Sequence, residues 1–211
     1  MPPDATPVHT VKLGGSLLNW PEMPSRLTQL LTTSASQFPL LIVGGGAAAD
    51  IVRGWQQAHA LDDNTAHALA IDAMSLNSQL LSTLLPRARI VTDHAQATET
   101  WATDHWPILD CGMFLAAQEP LQALKLPHSW QATSDTIAGW IARTWPASRL
   151  TLVKSVDLPS DPSPTAMSDG GLVDEHLTTW IDQLPVTDWV NLRSATPQPI
   201  RWQPQGSQPV P

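Results

Sequence analysis

Two lysines stand where strand-like segments give way to small residues. Lys12 lies in Val11-Lys-Leu-Gly-Gly-Ser16, and Lys154 lies in Leu152-Val-Lys-Ser-Val-Asp157. Glycines after a strand let the backbone approach an anion closely. The successive N–H groups of Gly14, Gly15 and Ser16 can then form a nest, and Lys12 brings a mobile positive charge to the same edge. A second turn, Gly44-Gly45-Gly46, follows the apolar run Pro39-Leu-Leu-Ile-Val43 and opens a helix-like segment. Three consecutive glycines cost entropy that a plain turn does not require, and an anion at the helix N-terminus accounts for them better. Asp135, in Thr133-Ser-Asp135 at another helix start, would alone be an ordinary cap. Two lysines, two glycine turns and one orienting carboxylate on one sheet edge are the equipment for phosphoryl transfer. That reaction needs positioning and charge neutralisation more than covalent chemistry.

The elements that must place these groups alternate along the chain. Residues 9–13, 39–43, 88–91, 107–109, 149–153 and 188–192 read as short strands, mostly continuous apolar runs of the kind buried on both faces. Helical spacing appears over 25–36, 47–57, 136–144 and 173–184. Asp62-Asp63-Asn64 caps a long segment, apolar on more than one face, that runs to about Leu85 before Pro86. Residues 158–171, rich in Pro, Ser and Asp, read as a loop. This alternation predicts an α/β fold, a three-layer α/β/α sandwich around a mainly parallel sheet. Ligands of such sheets sit beyond the carboxyl ends of the strands, where both glycine turns fall. The boundaries predicted are one domain over 7–195 and a disordered Pro/Gln-rich tail over 196–211.

Composition narrows the function classes. The 211 residues are enough for one real core, and the net charge of -8 leaves no basic stripe for nucleic acid. The longest apolar run, 40–49, is interrupted by glycines and is far too short to span a membrane. Residues 1–10 lack the apolar stretch of a signal peptide, so the expectation is a cytoplasmic protein. The single Cys111 excludes an internal disulfide and reads as a small buried hydrophobe. Ten Trp with no Tyr read as core and interface packing rather than a ligand cage. The pairs Asp93-His94 and Asp104-His105 fall in irregular segments, and His59 and His67 straddle a helix boundary, so no metal site is assigned. Neither a P-loop nor a GxSxG elbow is present. Residues 44–49 fit the loose GxGxxA form of a dinucleotide fingerprint, but no acidic residue ends a following strand at the expected distance.

The four blocks Val11-Lys-Leu-Gly-Gly-Ser16, Ile42-Val-Gly-Gly-Gly46, Thr133-Ser-Asp135 and Leu152-Val-Lys-Ser-Val-Asp157, in that order, resemble the amino acid kinase superfamily, which includes acetylglutamate, aspartate, uridylate and isopentenyl phosphate kinases. His67-Ala-Leu-Ala-Ile-Asp-Ala-Met74, Ser129-Trp-Gln-Ala-Thr-Ser-Asp135 and Val153-Lys-Ser-Val-Asp157 look like a smaller branch that includes the methanofuran-pathway aminomethylfuranylmethyl phosphate kinase. The resemblance implies catalytic roles for Lys12, Asp135 and Lys154. It implies that Gly14, Gly15, Ser16 and Asp157 bind ATP phosphates, and that Gly44, Gly45, Gly46 and His67 hold the acceptor. ATP and Mg²⁺ would be the cofactors, with Mg²⁺ held chiefly by phosphate oxygens and water. The partner would be a small phosphate acceptor, and the long apolar helix would serve a homodimer. Two departures stand out. Many relatives carry a second catalytic lysine after a late glycine loop, where Gly170-Gly-Leu-Val-Asp174 offers Asp174. Asp157-Leu-Pro159 lacks the usual glycine of the nucleotide loop. These departures favour, as an alternative, a non-catalytic nucleotide- or metabolite-binding relative; the 44–49 pattern keeps a dinucleotide-dependent oxidoreductase as another.

Overall fold

The computed structural model describes residues 8–33 and 38–202. Its strands are β1 (Val8–Leu13), β2 (Phe38–Val43), β3 (Ala88–Val91), β4 (Trp106–Leu109), β5 (Arg149–Lys154), β6 (Val186–Asn191) and β7 (Ile200–Arg201). They form one sheet in the order β3-β4-β2-β1-β5-β6-β7. Every pairing is parallel except that of β6 with β7. The helices are α1 (Met23–Thr33), α2 (Gly46–His59), α3 (Asp63–Leu84), α4 (His94–Ala102), α5 (Cys111–Gln118), α6 (Ser134–Thr144), α7 (Pro164–Asp169) and α8 (Glu175–Thr179).

Strand side chains alternate between two cores, one on each face of the sheet. Leu40, Ile42, Leu150 and Leu152 pack with Phe114 of α5, Trp140 of α6 and Leu177 of α8. Val11, Leu13, Leu41, Val43 and Val153 pack on the other face with Leu27 of α1 and Leu81 of α3. The expected three-layer sandwich around a mainly parallel sheet is therefore the observed one. Near-continuous apolar strands arise because both faces are covered. The tryptophans supply much of the first core. Trp140 and Trp189 are fully buried, and their indole N–H groups donate to the carbonyls of Leu124 and Val156 at 2.8 and 2.9 Å. Each such burial contributes roughly 5 kcal/mol by area.

Several boundaries differ from the sequence reading. The chain at His94 is not a loop but α4, capped by the Asp93 carboxylate on the N–H of Gln96. Residues 164–169 form α7 inside the expected loop, capped by Ser163. The single helix expected over 173–184 is broken into α8 and a short 3-10 turn, Ile181–Gln183. Over residues 196–202 the expected disorder is replaced by ordered chain. Ile200–Arg201 adds β7 to the sheet edge, and Trp202 is buried, its indole donating to the Pro162 carbonyl at 2.9 Å. Local composition around Pro197 and Pro199 hid a strand of only two residues, anchored by an indole whose contacts are distant in sequence. The end of the expected 25–36 helix and the tail beyond 202 lie outside the described residues. Among the described residues no helix is long and apolar enough to cross a membrane.

Candidate active site

The chain passes from β1 to β2 on one side of the sheet and returns to β5 on the other, so β1 lies at the topological switch point. Register sets Lys12 opposite Ile42 and Leu152, and Leu13 opposite Val43 and Val153. Gly14, Gly44 and Lys154 therefore reach the same carboxyl edge. The two-residue period of strands places Lys12 and Lys154 on the face covered by α6. Asp135, in the first turn of α6, stands between them. The Lys12 ammonium is 2.8 Å from its Oδ1 and the Lys154 ammonium 2.7 Å from its Oδ2. Lys154 also donates to the Leu172 carbonyl at 2.7 Å.

Lys12 is not the mobile charge expected, because only 3% of the residue is exposed and Asp135 holds its ammonium. Burial alone would push the Asp135 carboxyl up, but the two ammonium groups outweigh it and hold it down at about 2. Burial, with Lys12 nearby, pushes Lys154 below the ordinary lysine value, and Asp135 opposes that shift. Lys154 also lies 5.5 Å from the centre of the Trp189 ring, within cation–π range.

The two glycine turns touch. A Cβ on Gly15 would stand 2.3 Å from the Gly46 nitrogen, and Gly46 has φ +48°. A Cβ on Gly44 would stand 3.0 Å from the Ser134 hydroxyl and 3.3 Å from the Lys12 ammonium. At Gly15 and Gly46, where a Cβ would meet backbone atoms at 2.3 and 2.7 Å, only a residue without a Cβ permits this approach. The sheet ladder extends into both turns, Gly14 N–H donating to Val153 and Gly44 N–H to Leu13. Among the described residues the N–H groups of Gly15, Ser16, Gly45 and Gly46 have no protein acceptor. Such a cradle of backbone donors beside two ammonium groups fits a phosphate chain.

Asn77 is a site residue that sequence reasoning missed. It projects from α3, and its amide nitrogen donates to the carbonyls of Gly44 and Gly45, both at 2.7 Å. The signal was available: at the helical spacing of Ala66, Ala73, Met74 and Leu81, an amide occupies a core position. Asp174 was noted only as a departure. It occupies the N-cap position of α8 but makes no capping bond there. Its Oδ2 instead accepts from the N–H groups of Thr133, Asp135 and Thr136 at 3.0, 2.9 and 2.8 Å, and its Oδ1 from the Thr133 hydroxyl. Thr133, at the N-cap of α6, makes no side-chain capping bond of its own. Burial and the Asp135 charge raise the Asp174 carboxyl, against the bonds from Thr133 and Thr136 and the charge of Lys12.

Beyond Gly45 and Gly46 lies a cavity of about 160 Å³, floored by Ile71, Met74 and Ile137 and bordered by His67 and Trp130. The Arg53 guanidinium stacks 4.3 Å above Trp130 and pairs with Asp50 at 2.7 Å. His67 stacks on His128 with ring centres 4.6 Å apart, and its buried Nε2 has no protein partner. Burial, helped by His128, lowers His67 to about 4, so the ring is neutral at pH 7. Asp157 is not drawn into the lysine cluster. It is exposed and accepts from the Asn191 amide at 2.8 Å.

No family model and no curated protein matches the chain. Solved structures do. Uridylate kinase from Archaeoglobus fulgidus superimposes with a TM-score of 0.59 at 17% identity, over 86% of this chain and 89% of that one. UMP kinase from Bacillus anthracis gives 0.55 at 13% identity, over 89% and 88%. Aspartate kinase from Synechocystis gives 0.63 at 13% identity; it covers 92% of this chain, which spans only 41% of that longer one. The chain shares its fold with these kinases.

Proposed function

We propose that the chain is an ATP-dependent phosphotransferase. The observation that carries this reading is Asp135 held between Lys12 and Lys154 at the switch point, beside two glycine turns that offer unpaired backbone N–H groups. In this reading the first turn and Lys154 hold the ATP phosphates. Lys12, at the junction of the turns, neutralises the charge on the γ-phosphoryl as it passes to the acceptor oxygen and ADP leaves. The acceptor occupies the cavity beside Gly45, Gly46 and His67. We assign it to small phosphorylated compounds, which makes the product a diphosphate; aminomethylfuranylmethyl phosphate is the candidate that the resemblance supplies. Both oxygens of Asp135 and of Asp174 are engaged within the protein, so Mg²⁺ would be held by phosphate oxygens and water. It would supply charge neutralisation there.

A cytoplasmic location is part of the proposal, in keeping with the single Cys111, buried and unpaired. A homodimer through α3 accounts for Leu76, Leu80 and Leu84 being exposed at helical spacing, beside an exposed Ile90 on the edge strand β3. Sedimentation of Leu76→Glu, expected to be monomeric, checks this.

The test of function is ADP release from ATP–Mg²⁺ over a panel of small phosphates, with Lys12→Ala as the control. Turnover that vanishes in the variant supports the reading, and turnover unchanged in the variant removes Lys12 from it. One observation favours a second reading, a non-catalytic binding relative. Lys12 and Lys154 are balanced in charge by Asp135 and Asp174, where the resemblance expects a further lysine. Calorimetric binding of ATP–Mg²⁺ without turnover on any acceptor would select it.

A further inference from the structure

We propose that Asp174 is a positioning residue, a carboxylate borrowed from the α7–α8 segment to cap α6 and so fix Asp135 between its two lysines. The first turn of a helix leaves backbone N–H groups unpaired, and a buried helix start needs acceptors for them. In α6 the local candidates do not serve. Thr133 makes no capping bond, and both Asp135 oxygens face ammonium groups. Asp174, 38 to 41 residues further along the chain, supplies one oxygen to three backbone N–H groups and the other to the Thr133 hydroxyl.

One of those three N–H groups belongs to Asp135 itself, so the carboxylate holds the backbone from which the central acid projects. The same segment is tied down at two further points. Lys154 donates to the Leu172 carbonyl at 2.7 Å, and the His176 N–H donates to the Gln131 carbonyl at 2.9 Å. Asp174 thus leaves its own helix uncapped in order to cap another, which a purely local role would not require.

Only the kinetic part of the test rests on the phosphotransferase reading. Asp174→Gly deletes a side chain that acetate reproduces atom for atom from the methyl carbon outward. The variant is expected to melt about 2–8 °C below the parent. Acetate should restore most of that loss saturably, relative to chloride at equal ionic strength, while leaving the parent unmoved. Asp174→Asn, which keeps the shape and one acceptor oxygen, is expected to lose less and to gain nothing from acetate. An unchanged melting temperature in Asp174→Gly, or an equal response to acetate in all three proteins, overturns the proposal. If Asp174→Gly folds in neither salt, an Asp174→Asn protein as stable as the parent overturns it, and one of lowered melting temperature supports it. Where turnover is measurable, kcat of Asp174→Gly should fall at least ~10-fold with KM for ATP little changed, and acetate should recover it. Acetate rescue of stability in a protein without turnover would sink the phosphotransferase reading and leave the role of Asp174 standing.

Discussion

Gly15 and Gly46 approach so closely that a Cβ on the first would stand 2.3 Å from the backbone nitrogen of the second. Two turns separated by a strand, a helix and the loops between them thereby become one cradle. Gly15→Ala must force them apart, at an expected cost of ~1–3 kcal/mol, with weaker binding of ADP. Gly54→Ala is the control. Gly54 lies inside α2 with nothing near its missing Cβ, so this change should stabilise by ~0.5–1 kcal/mol. Urea denaturation of both variants, with calorimetry of ADP binding, measures the contrast.

Asp135→Asn would leave two buried ammonium groups without their shared counter-charge. A loss of about 3–5 kcal/mol at neutral pH is expected, as for removal of one member of a buried ion pair. The sign of the pH dependence follows from the depressed carboxyl. Its stabilisation is fully present above the ordinary value of 3.8 and fades as pH falls through about 2. The parent's advantage over Asp135→Asn should therefore shrink in acid, as paired melting curves from pH 7 to pH 2 would show.

Two histidines give a second pH window. His9, hydrogen-bonded to the Thr151 hydroxyl at 2.7 Å inside the sheet, and His67 are both lowered from 6.5 to about 4, chiefly by burial. The unfolded chain binds more protons than the folded one between those values, so stability is complete above pH 6.5 and declines toward pH 4. His67→Gln should reduce the proton uptake on unfolding near pH 5 by about one. Potentiometric or calorimetric measurement of that uptake is the check, and an unchanged value would show His67 to be charged in the folded protein.

Asn77→Ala would strand the carbonyls of Gly44 and Gly45 in a buried setting. The expected penalty is ~1–3 kcal/mol for the lost bonds, together with a looser second turn. Faster hydrogen exchange at Gly45 and Gly46 than in the parent would report that loosening. Unchanged exchange together with unchanged stability would show that Asn77 does not hold the turn.

The legibility of the site in the sequence was uneven, for physical reasons. Gly14, Gly44 and Lys154 were readable because each lies at the end of a mostly apolar run, and the carboxyl ends of parallel strands share one edge. His67 could be placed beside the second turn only through resemblance, and it does border the cavity there. Asn77 was readable in principle as a polar residue at core spacing, but its partners are carbonyls 32 and 33 residues away. Asp174 looked like a lost lysine, and nothing in its local sequence pointed to α6. Asp157 adjoins the lysine in sequence, yet turns to Asn191 instead.

By itself the sequence determined the α/β alternation, the apolar strands and the two glycine turns, because periodicity and missing side chains act over a few residues. The shared edge of Lys12 and Lys154 follows from strand period and parallel pairing. What only the tertiary structure decided was how the charges divide among partners: Asp135 serves two lysines, Asp174 serves a helix that is not its own, and Asn77 holds the second turn. Those assignments depend on three-dimensional approach within a few ångströms, which buried polar groups demand and linear spacing does not encode.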